Sequence, residues 1–390
     1  MADILFVTAA FFLVLAVHPF ITYPLSLRML RTLRSQPLAV DVATGAPPLT
    51  FAVCLCAYNE APVIGRTLNN LLALRDAMGG QLQILLYVDG ATDGTAEIAR
   101  RYADRIDLVV AAENRGKNYG LNRLADRIRA DLVVLIDANV EIAHDALDNL
   151  RRYFADPTVG CVCGHLTFVN GNESVTAATG SLYWRLEERI KQLESDTGSA
   201  MGADGSLYAI RRECLPQIPS GVADDMYVSL AVLCKGYRVV RAEDVRAFER
   251  AAAEPDEEFR RKIRIGCQGF SAHLALWPQL RALDGLTVYK YVSHKLLRWF
   301  TAVTLAAAAA CGFAWLAVVF SLPLALIVTA VGLFVAWVGW RLRLPPFTVL
   351  IDVLQSFVAT AIGAWRAYNG TLVGTWEPAG SVRKSGEIGP

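Results

Sequence analysis

Neither sign of charge predominates: 38 Lys and Arg stand against 37 Asp and Glu, a formal net charge of +1. Such a balance offers no electrostatic footprint for nucleic acid, and no basic stripe interleaved with aromatics runs along the chain. Nucleic acid is therefore not expected as a partner. The eight cysteines and five histidines form no CxxC pair and no cluster at zinc spacing, so a structural zinc site is not expected either. Cys54/Cys56 and Cys161/Cys163 lie in apolar strand-like runs where alternate residues share a face, which predicts buried, reduced thiols. There is no internal repeat. The N-terminus carries Asp3 and no base, unlike the basic start of a cleaved signal peptide, so an uncleaved anchor is expected.

What the chain does have is apolar length. Hydrophobic residues make up 54% of its 390 positions, and the mean hydropathy is +0.34, high for a purely soluble protein. The excess sits at the two ends. Residues 4–26 hold no Lys, Arg, Asp or Glu, and roughly 20 apolar residues span a bilayer, so residues 1–27 are predicted as a transmembrane helix. Residues 300–341 predict a transmembrane hairpin broken around Ser321-Leu322-Pro323. A third apolar segment, 346–368, contains Asp352 and Gln355 and either spans or lies in the interface. Arg28, Arg31 and Arg34 follow the first run, and Lys290, Lys295 and Arg298 precede the second. By the positive-inside rule both flanks are cytoplasmic, which predicts a multi-pass protein of the inner (plasma) membrane with a cytoplasmic domain between. The expected layout adds a linker over 28–50, a domain over 51–280, a membrane-interface segment over 281–299 and a tail over 369–390, placed inside.

Within the domain, strand and helix patterns alternate. FAVCLCA (51–57), ILLYV (84–88), DLVVAA (107–112) and LVVLI (132–136) read as strands, with helical patterns over 60–76, 94–103 and 117–129 between them. That alternation predicts an α/β fold with a mostly parallel, Rossmann-like sheet. In such sheets ligands bind at the carboxyl ends of the strands. Three polar clusters fall there: Tyr58-Asn59-Glu60, Asp89-Gly90-Ala91-Thr92-Asp93 and Asp137-Ala138-Asn139. Asp93 reads as a helix cap, whereas Asp89 closes a hydrophobic strand and can accept hydrogen bonds from a base or ribose. Lys117 opens a helix, where a cation and backbone N–H groups suit an anion and where a solvated lysine is the plainer reading. Asp224-Asp225 open another helix, either as partners of its dipole or with one facing a pocket as a general base. Arg260, Arg261, Lys262 and Arg264 form a basic helix, read as a solvated face, as headgroup contacts, or as cations for a leaving phosphate.

AYNE, VDGATDGT, NRGKNYGLN, DAN, GADGSLYAIRR, ADDM and RRKIR occur in this order over roughly residues 50–275, and the ordered set resembles the family 2 glycosyltransferases. SHKLLRW (293–299) is similar to the membrane-entry segment of their processive-synthase relatives. The resemblance implies a GT-A fold, a UDP-sugar donor, Mg²⁺ or Mn²⁺ and inversion at the anomeric carbon. It implies that Ala57, Tyr58, Glu60, Asp89, Lys117 and Asp137 bind the donor nucleotide, Asp89 holding the uracil. Asp137 is similar to the first acid of the DxD motif, and Asn139 stands where the second acid would ligate the metal. Asp225 looks like the general base beside Asp224, Arg264 like the arginine that stabilises the diphosphate, and Gly202, Ala203, Asp204 and Gly205 like the acceptor-side loop.

The chain departs from the cellulose, chitin and hyaluronan synthases in lacking QxxRW: Arg261-Lys262-Ile263-Arg264-Ile265 has neither the Gln nor the Trp. With so short a membrane portion, the favoured expectation is transfer to a lipid-linked or membrane-held glycan, in contact with membrane lipids, for a surface polysaccharide or glycolipid. Processive β-polysaccharide synthesis is the runner-up, for which a homo-oligomer or an export partner would have to complete a channel. A non-catalytic membrane scaffold is the rival from another class. A nucleotidyltransferase would need a Gly-rich basic loop after the first strand, where AYNEAPVIGR is acidic instead.

Overall fold

In the computed structural model the described residues are 1–36, 49–169, 175–249 and 255–374. Most of the expected linker, and the tail beyond Gly374, lie outside them. In chain order the elements are α1 Ala2–Val17, α2 Thr22–Leu33, β1 Phe51–Ala57, α3 Ile64–Ala77, β2 Leu82–Asp89, α4 Thr95–Arg100, β3 Asp107–Ala111, α5 Lys117–Ala125, β4 Leu132–Asp137 and β5 Glu141–Ile142. There follow α6 Ala146–Phe154, β6 Val159–Phe168, α7 Val175–Asp196, β7 Leu207–Arg211, α8 Asp224–Cys234, β8 Arg238–Glu249 and α9 Pro255–Leu280. The C-terminal part holds α10 Gly285–Tyr291, a π-helical turn Val292–Leu296, α11 Leu297–Trp299, α12 Thr301–Val319, α13 Leu322–Arg341 and α14 Pro345–Tyr368.

One sheet of eight strands organises the domain, in the order β3-β2-β1-β4-β7-β6-β8-β5. Pairings among β3, β2, β1 and β4 are parallel, as the alternating pattern predicts. The second half is mixed: β7 runs antiparallel to both β4 and β6, while β8 lies parallel to β6. All seven residues of β1 are buried, because helices cover both faces and leave no side for polar residues. Alternate side chains go to separate cores. Phe51, Val53 and Leu55 meet Leu68 and Leu71 of α3 and Leu147 and Leu150 of α6 on one face. Ala52, Cys54 and Cys56 meet Leu121 and Leu124 of α5 and Val228 and Val232 of α8 on the other. Cys161 and Cys163 lie in that second core too, and all eight cysteines are free, as the CxC spacing predicts.

This topology decides where a site can form. The chain leaves β1 for β2 and β3, then returns to β4 on β1's other side, so the crevice between the carboxyl ends of β1 and β4 is a switch point. Since β7 is antiparallel to β4, with Ile136 opposite Leu207, the loop entering β7 arrives at the same edge. β8 runs in β4's direction through two antiparallel steps and one parallel one, so its last residue, Glu249, also points to that edge.

α12, α13 and α14 are long and apolar enough to cross a membrane. The N-terminal run differs from the single helix predicted over 1–27. α1 stops at Val17, ahead of His18-Pro19, and α2 leaves at 64° to it. Proline lacks the N–H that would continue the ladder, so the helix ends here although His18 itself keeps helical angles and donates to Val14 O. α1 packs along α12, with Phe6 against Trp315 at 5.5 Å. α2 instead turns onto the domain, burying Tyr23 and Leu27 against Ile190 and Leu193 of α7. At the other end, α14 lies along α9: Lys262 Nζ donates to Ser356 Oγ at 2.5 Å. Gly363 sits so close to the backbone at Ile263 and Cys267 that a β-carbon would collide.

Candidate active site

Asp137, the last residue of β4, and Asp225, in the first turn of α8, face each other across the loop that enters β7. Gly205 is what lets them approach. A β-carbon there would lie 3.3 Å from Asp225 Oδ2 and 3.7 Å from Asp137 Oδ2. Lys117 stands on the far side, its ammonium 2.8 Å from Asp137 Oδ1 and 3.1 Å from Asp224 Oδ2. It reaches them because Asp89 fixes the turn before α5, accepting from the backbone N–H of Arg115 and of Gly116, each at 2.8 Å. Asp89 is 2% exposed, so its first duty is to the loop that delivers Lys117.

The electrostatics follow from this packing. Burial drives the Asp225 carboxyl up to about 7, the neighbouring Asp224 adds to the rise, and Lys117 opposes it. Burial alone would lower the Lys117 ammonium, but Asp137 and Asp224 outweigh it and hold the group well above the ordinary lysine range. Tyr208 donates to Asp224 Oδ2 at 3.2 Å. Asp224 is thus tied to Lys117 and Tyr208.

Around this centre the other predicted residues take unequal places. Ala57 and Glu60 are fully buried at the end of β1, and Tyr58 is half-buried beside them. Asn59 adopts a positive φ of 53° and accepts from the N–H of Thr92, joining the first two strand-end clusters. Asp93 accepts from the N–H of Thr95, but Gly94 is the N-cap of α4, so Asp93 orders the turn before the helix instead of capping it. Ala203 donates its N–H to Ser229 Oγ at 3.0 Å. Asp204 meets Lys191 and Cys163 Sγ, and its charge also reaches Asp225.

Asn139 has a partner that the sequence did not announce. It is 3% exposed, and its amide donates to Glu249 Oε1 at 3.0 Å, while Ser206 donates to Glu249 Oε2 at 2.9 Å. Glu249 escaped the sequence reading. Its only signal is an acid closing a strand, as Asp89 and Asp137 do. Burial and the charge of Asp137 push its carboxyl up from the usual range. Arg261 was passed over as one of a basic run, yet its charge couples to Glu249 and Asp137 as well as to its helical partner Glu258. Arg264, one turn further, donates to Gln268 Oε1 at 3.2 Å.

Among the described residues no three His, Cys, Asp or Glu side chains form a ready-made metal cage. The donors at hand are oxygens only, from Asp137, Asn139 and Glu249, the chemistry of a hard divalent cation. Mg²⁺ commonly uses one or two carboxylates and completes its shell from substrate phosphates and water. A site of this kind fits, with Asp137 as its protein anchor.

Beyond α14 the chain comes back over the domain. Val373 O accepts from Gln268 Nε2 at 2.9 Å, and Leu372 packs on Gly221. The carbonyl of Gly374 presses on Gly116, whose φ of +91° also excludes a side chain. The end of α14 therefore lies on the domain's side, beside the loop held by Asp89.

An α/β sheet with acids converging at the switch-point edge, an antiparallel loop brought across them and a lysine behind is the GT-A architecture of a glycosyltransferase. The "glycosyltransferase like family 2" model matches residues 47–268, more than half of the chain, and the chain belongs to that family. It is similar to an N-acetylglucosaminyltransferase of Rhizobium sp. (strain N33), 25% identical over 254 residues covering 61% of this chain and 56% of that protein. It is also similar to a poly-β-1,6-N-acetyl-D-glucosamine synthase of Staphylococcus aureus (strain COL), 26% identical over 195 residues, 47% of this chain and 46% of that one. The chain spans about half the length of the curated relatives it matches. Among solved structures, a mannosyltransferase of Pyrobaculum calidifontis, in complex with GDP-Man and Mn²⁺, aligns with a TM-score of 0.70 at 24% identity, over 93% of this chain and 99% of that one.

Proposed function

We propose that the protein is an inverting, UDP-sugar-dependent glycosyltransferase of the inner membrane. In this reading it moves a sugar to a hydroxyl of a lipid-linked or membrane-held glycan, in surface polysaccharide or glycolipid synthesis. The observation that carries the reading is the meeting of Asp137 and Asp225 across Gly205, with Lys117 bridging Asp137 and Asp224. Asp225, raised to about 7, can hold or release a proton at neutral pH, as a general base must. It takes the proton of the acceptor hydroxyl as that oxygen attacks the anomeric carbon from the face opposite the diphosphate. Lys117, with Arg261 and Arg264 on α9, offsets the charge that gathers on the departing diphosphate. Asp137 and Asn139 would hold the divalent cation, with Glu249 beside them, and the cation, when bound, supplies further positive charge to that leaving group. The scaffold reading is disfavoured, because acids set so close together are costly to keep without a use.

The names of the relatives make UDP-N-acetylglucosamine the first donor to test. Purified protein is offered UDP- and GDP-sugars with Mn²⁺ and nucleotide release is measured. A UDP-sugar should turn over, and Asp225→Asn should abolish turnover while UDP still binds. Turnover that survives Asp225→Asn would remove the base, and release from GDP-sugars alone would replace the donor. Processive β-polysaccharide synthesis is the second reading, favoured by the name of the staphylococcal relative. Sizing the labelled product separates the two.

A further inference from the structure

Behind the acceptor-side loop lies a buried ionic chain that none of the roles above uses. Lys191, on α7, is 1% exposed and ion-paired with Asp204 Oδ1. Cys163 Sγ lies 3.5 Å from the other oxygen of Asp204, so both oxygens of that carboxylate have partners within the protein. One turn back along α7, Glu187 is 4.0 Å from the same ammonium. Glu187 Oε1 also meets His294 Nε2 at 2.9 Å and Lys295 Nζ at 3.2 Å, and Oε2 pairs with Arg298. Those three residues belong to the short helical segment that runs into α12, the first C-terminal apolar helix. The segment touches the loop directly too, since a β-carbon on Gly202 would sit 3.5 Å from Lys295 Cε. Farther along α7, Glu194 accepts from Tyr23 of α2 at 2.5 Å and meets His294 Nδ1 at 2.7 Å.

We infer that Lys191 and Glu187 are positioning residues for the acceptor, holding loop 202–205 beside Asp225 at a height fixed by the membrane-entry segment. The inference rests on the reading of Asp225 as base and of this loop as acceptor-side. Glu187 and Asp204 face Lys191, Lys295 and Arg298, and Glu194 faces His294, so each of these acids has its partner within the chain of charges. Well-packed apolar residues of similar volume often hold a buried site as firmly as an ion pair, whereas charges fix one register. Register matters here because Asp204 directly precedes Gly205, the residue in the gap between the two catalytic-edge carboxylates. The loop is held on a second side through Ser229, which accepts from Ala203 N–H and donates to Asp225 O at 2.6 Å. An acceptor held in the bilayer thus meets a loop registered to that bilayer.

The test uses the full-length protein in membranes with UDP-N-acetylglucosamine labelled in the sugar. Label incorporated into membrane-bound glycan is measured beside UDP affinity and thermal stability. Lys191→Met alone strands a buried carboxylate, so the paired Lys191→Met/Asp204→Asn variant, which buries no charge, is the principal one. The expected result is a loss of transfer of at least tenfold with the UDP Kd within twofold, and recovery in Lys191→Arg. Unchanged transfer in the paired variant overturns the inference. So does loss of transfer, UDP binding and melting temperature together, which marks a merely structural pair. If wild-type protein incorporates no label and releases no UDP, it is the functional reading that fails, and the two failures are distinguishable.

Discussion

Lys117 and Asp224 act on Asp225 with opposite signs, so the pH profile of the enzyme should move in opposite directions when each is removed. Asp225 is raised to about 7 by burial and by Asp224, against the pull of Lys117. At an effective dielectric of ~20, unit charges roughly 6–8 Å apart interact by about 2–3 kcal/mol, which is about 1.5–2 pH units. Lys117→Met should therefore carry the acidic limb of kcat/KM from about 7 to ~8.5 or above, since the neutral carboxyl is favoured once the ammonium is gone. Asp224→Asn should carry it down, to roughly 5–6, by removing the like charge. Because the two acids are adjacent, the wild-type limb belongs to the pair as a unit. UDP release is followed from pH 5 to 9 at fixed Mn²⁺ and limiting UDP-N-acetylglucosamine, and the position of the limb is read rather than its height. Lys117→Met also lowers the plateau if the lysine meets the diphosphate, and the limb is unaffected by that loss. Limbs that stay in place, or that move the same way in both variants, refute the base assignment and the cluster electrostatics together.

Asn139→Asp places a second acid about one hydrogen bond from the Glu249 carboxylate, so metal-free protein should lose about 1–3 kcal/mol. Mn²⁺ should restore the melting temperature, whereas Asp137→Asn should be inactive with or without the ion. Burial alone would raise Glu187 and Glu194. Arg298 and His294 outweigh it at Glu187, and His294 with Tyr23 at Glu194, holding both below the usual carboxylate range. Stability from depressed acids is present above their unfolded value of ~4.3 and lost as pH falls through the folded value; the melting temperature should drop steeply below about pH 4, and less so in Glu187→Gln. With the domain proposed to be cytoplasmic and Thr371–Gly374 lying on it, a reporter fused at the C-terminus should be active in the cytoplasm, and one active only in the periplasm would refute that placement.

β1, β2 and β4 were legible because strands buried on both faces read as unbroken apolar runs, and β3, a half-exposed edge strand, by its apolar run between two helical patterns. Asp89 and Asp137 stood out by closing such runs. β7 could not be placed from sequence: LYAIR announces a strand, but its insertion antiparallel to β4 is a long-range choice. That insertion is what brings Gly205 to the acids, so the resemblance supplied a neighbourhood that periodicity could not. Pro19 was a readable sign that the N-terminal helix would break, and uninterrupted hydropathy hid it. Lys191 was invisible because a lysine on an amphipathic helix reads as solvated until its partner, 13 residues on, is seen underneath it. Glu249 was missed for a related reason, since the strand it closes alternates and gives no apolar run for an acid to end.

The seam between α9 and α14 bears on how the enzyme can be handled. Gly363 admits no side chain against α9, and Cys267, Phe270 and Trp299 share an apolar cluster with Ala364 and Ala367. Tyr23 and Leu27 seal α7 in the same manner from the N-terminal side. A fragment trimmed to residues 51–280 would bare both seams at once, and patches of that kind drive aggregation. The domain over 51–280 is thus not a self-contained module. Its fold is completed by the segments that trimming would discard, and whatever detergent or lipid preserves those segments also preserves the enzyme.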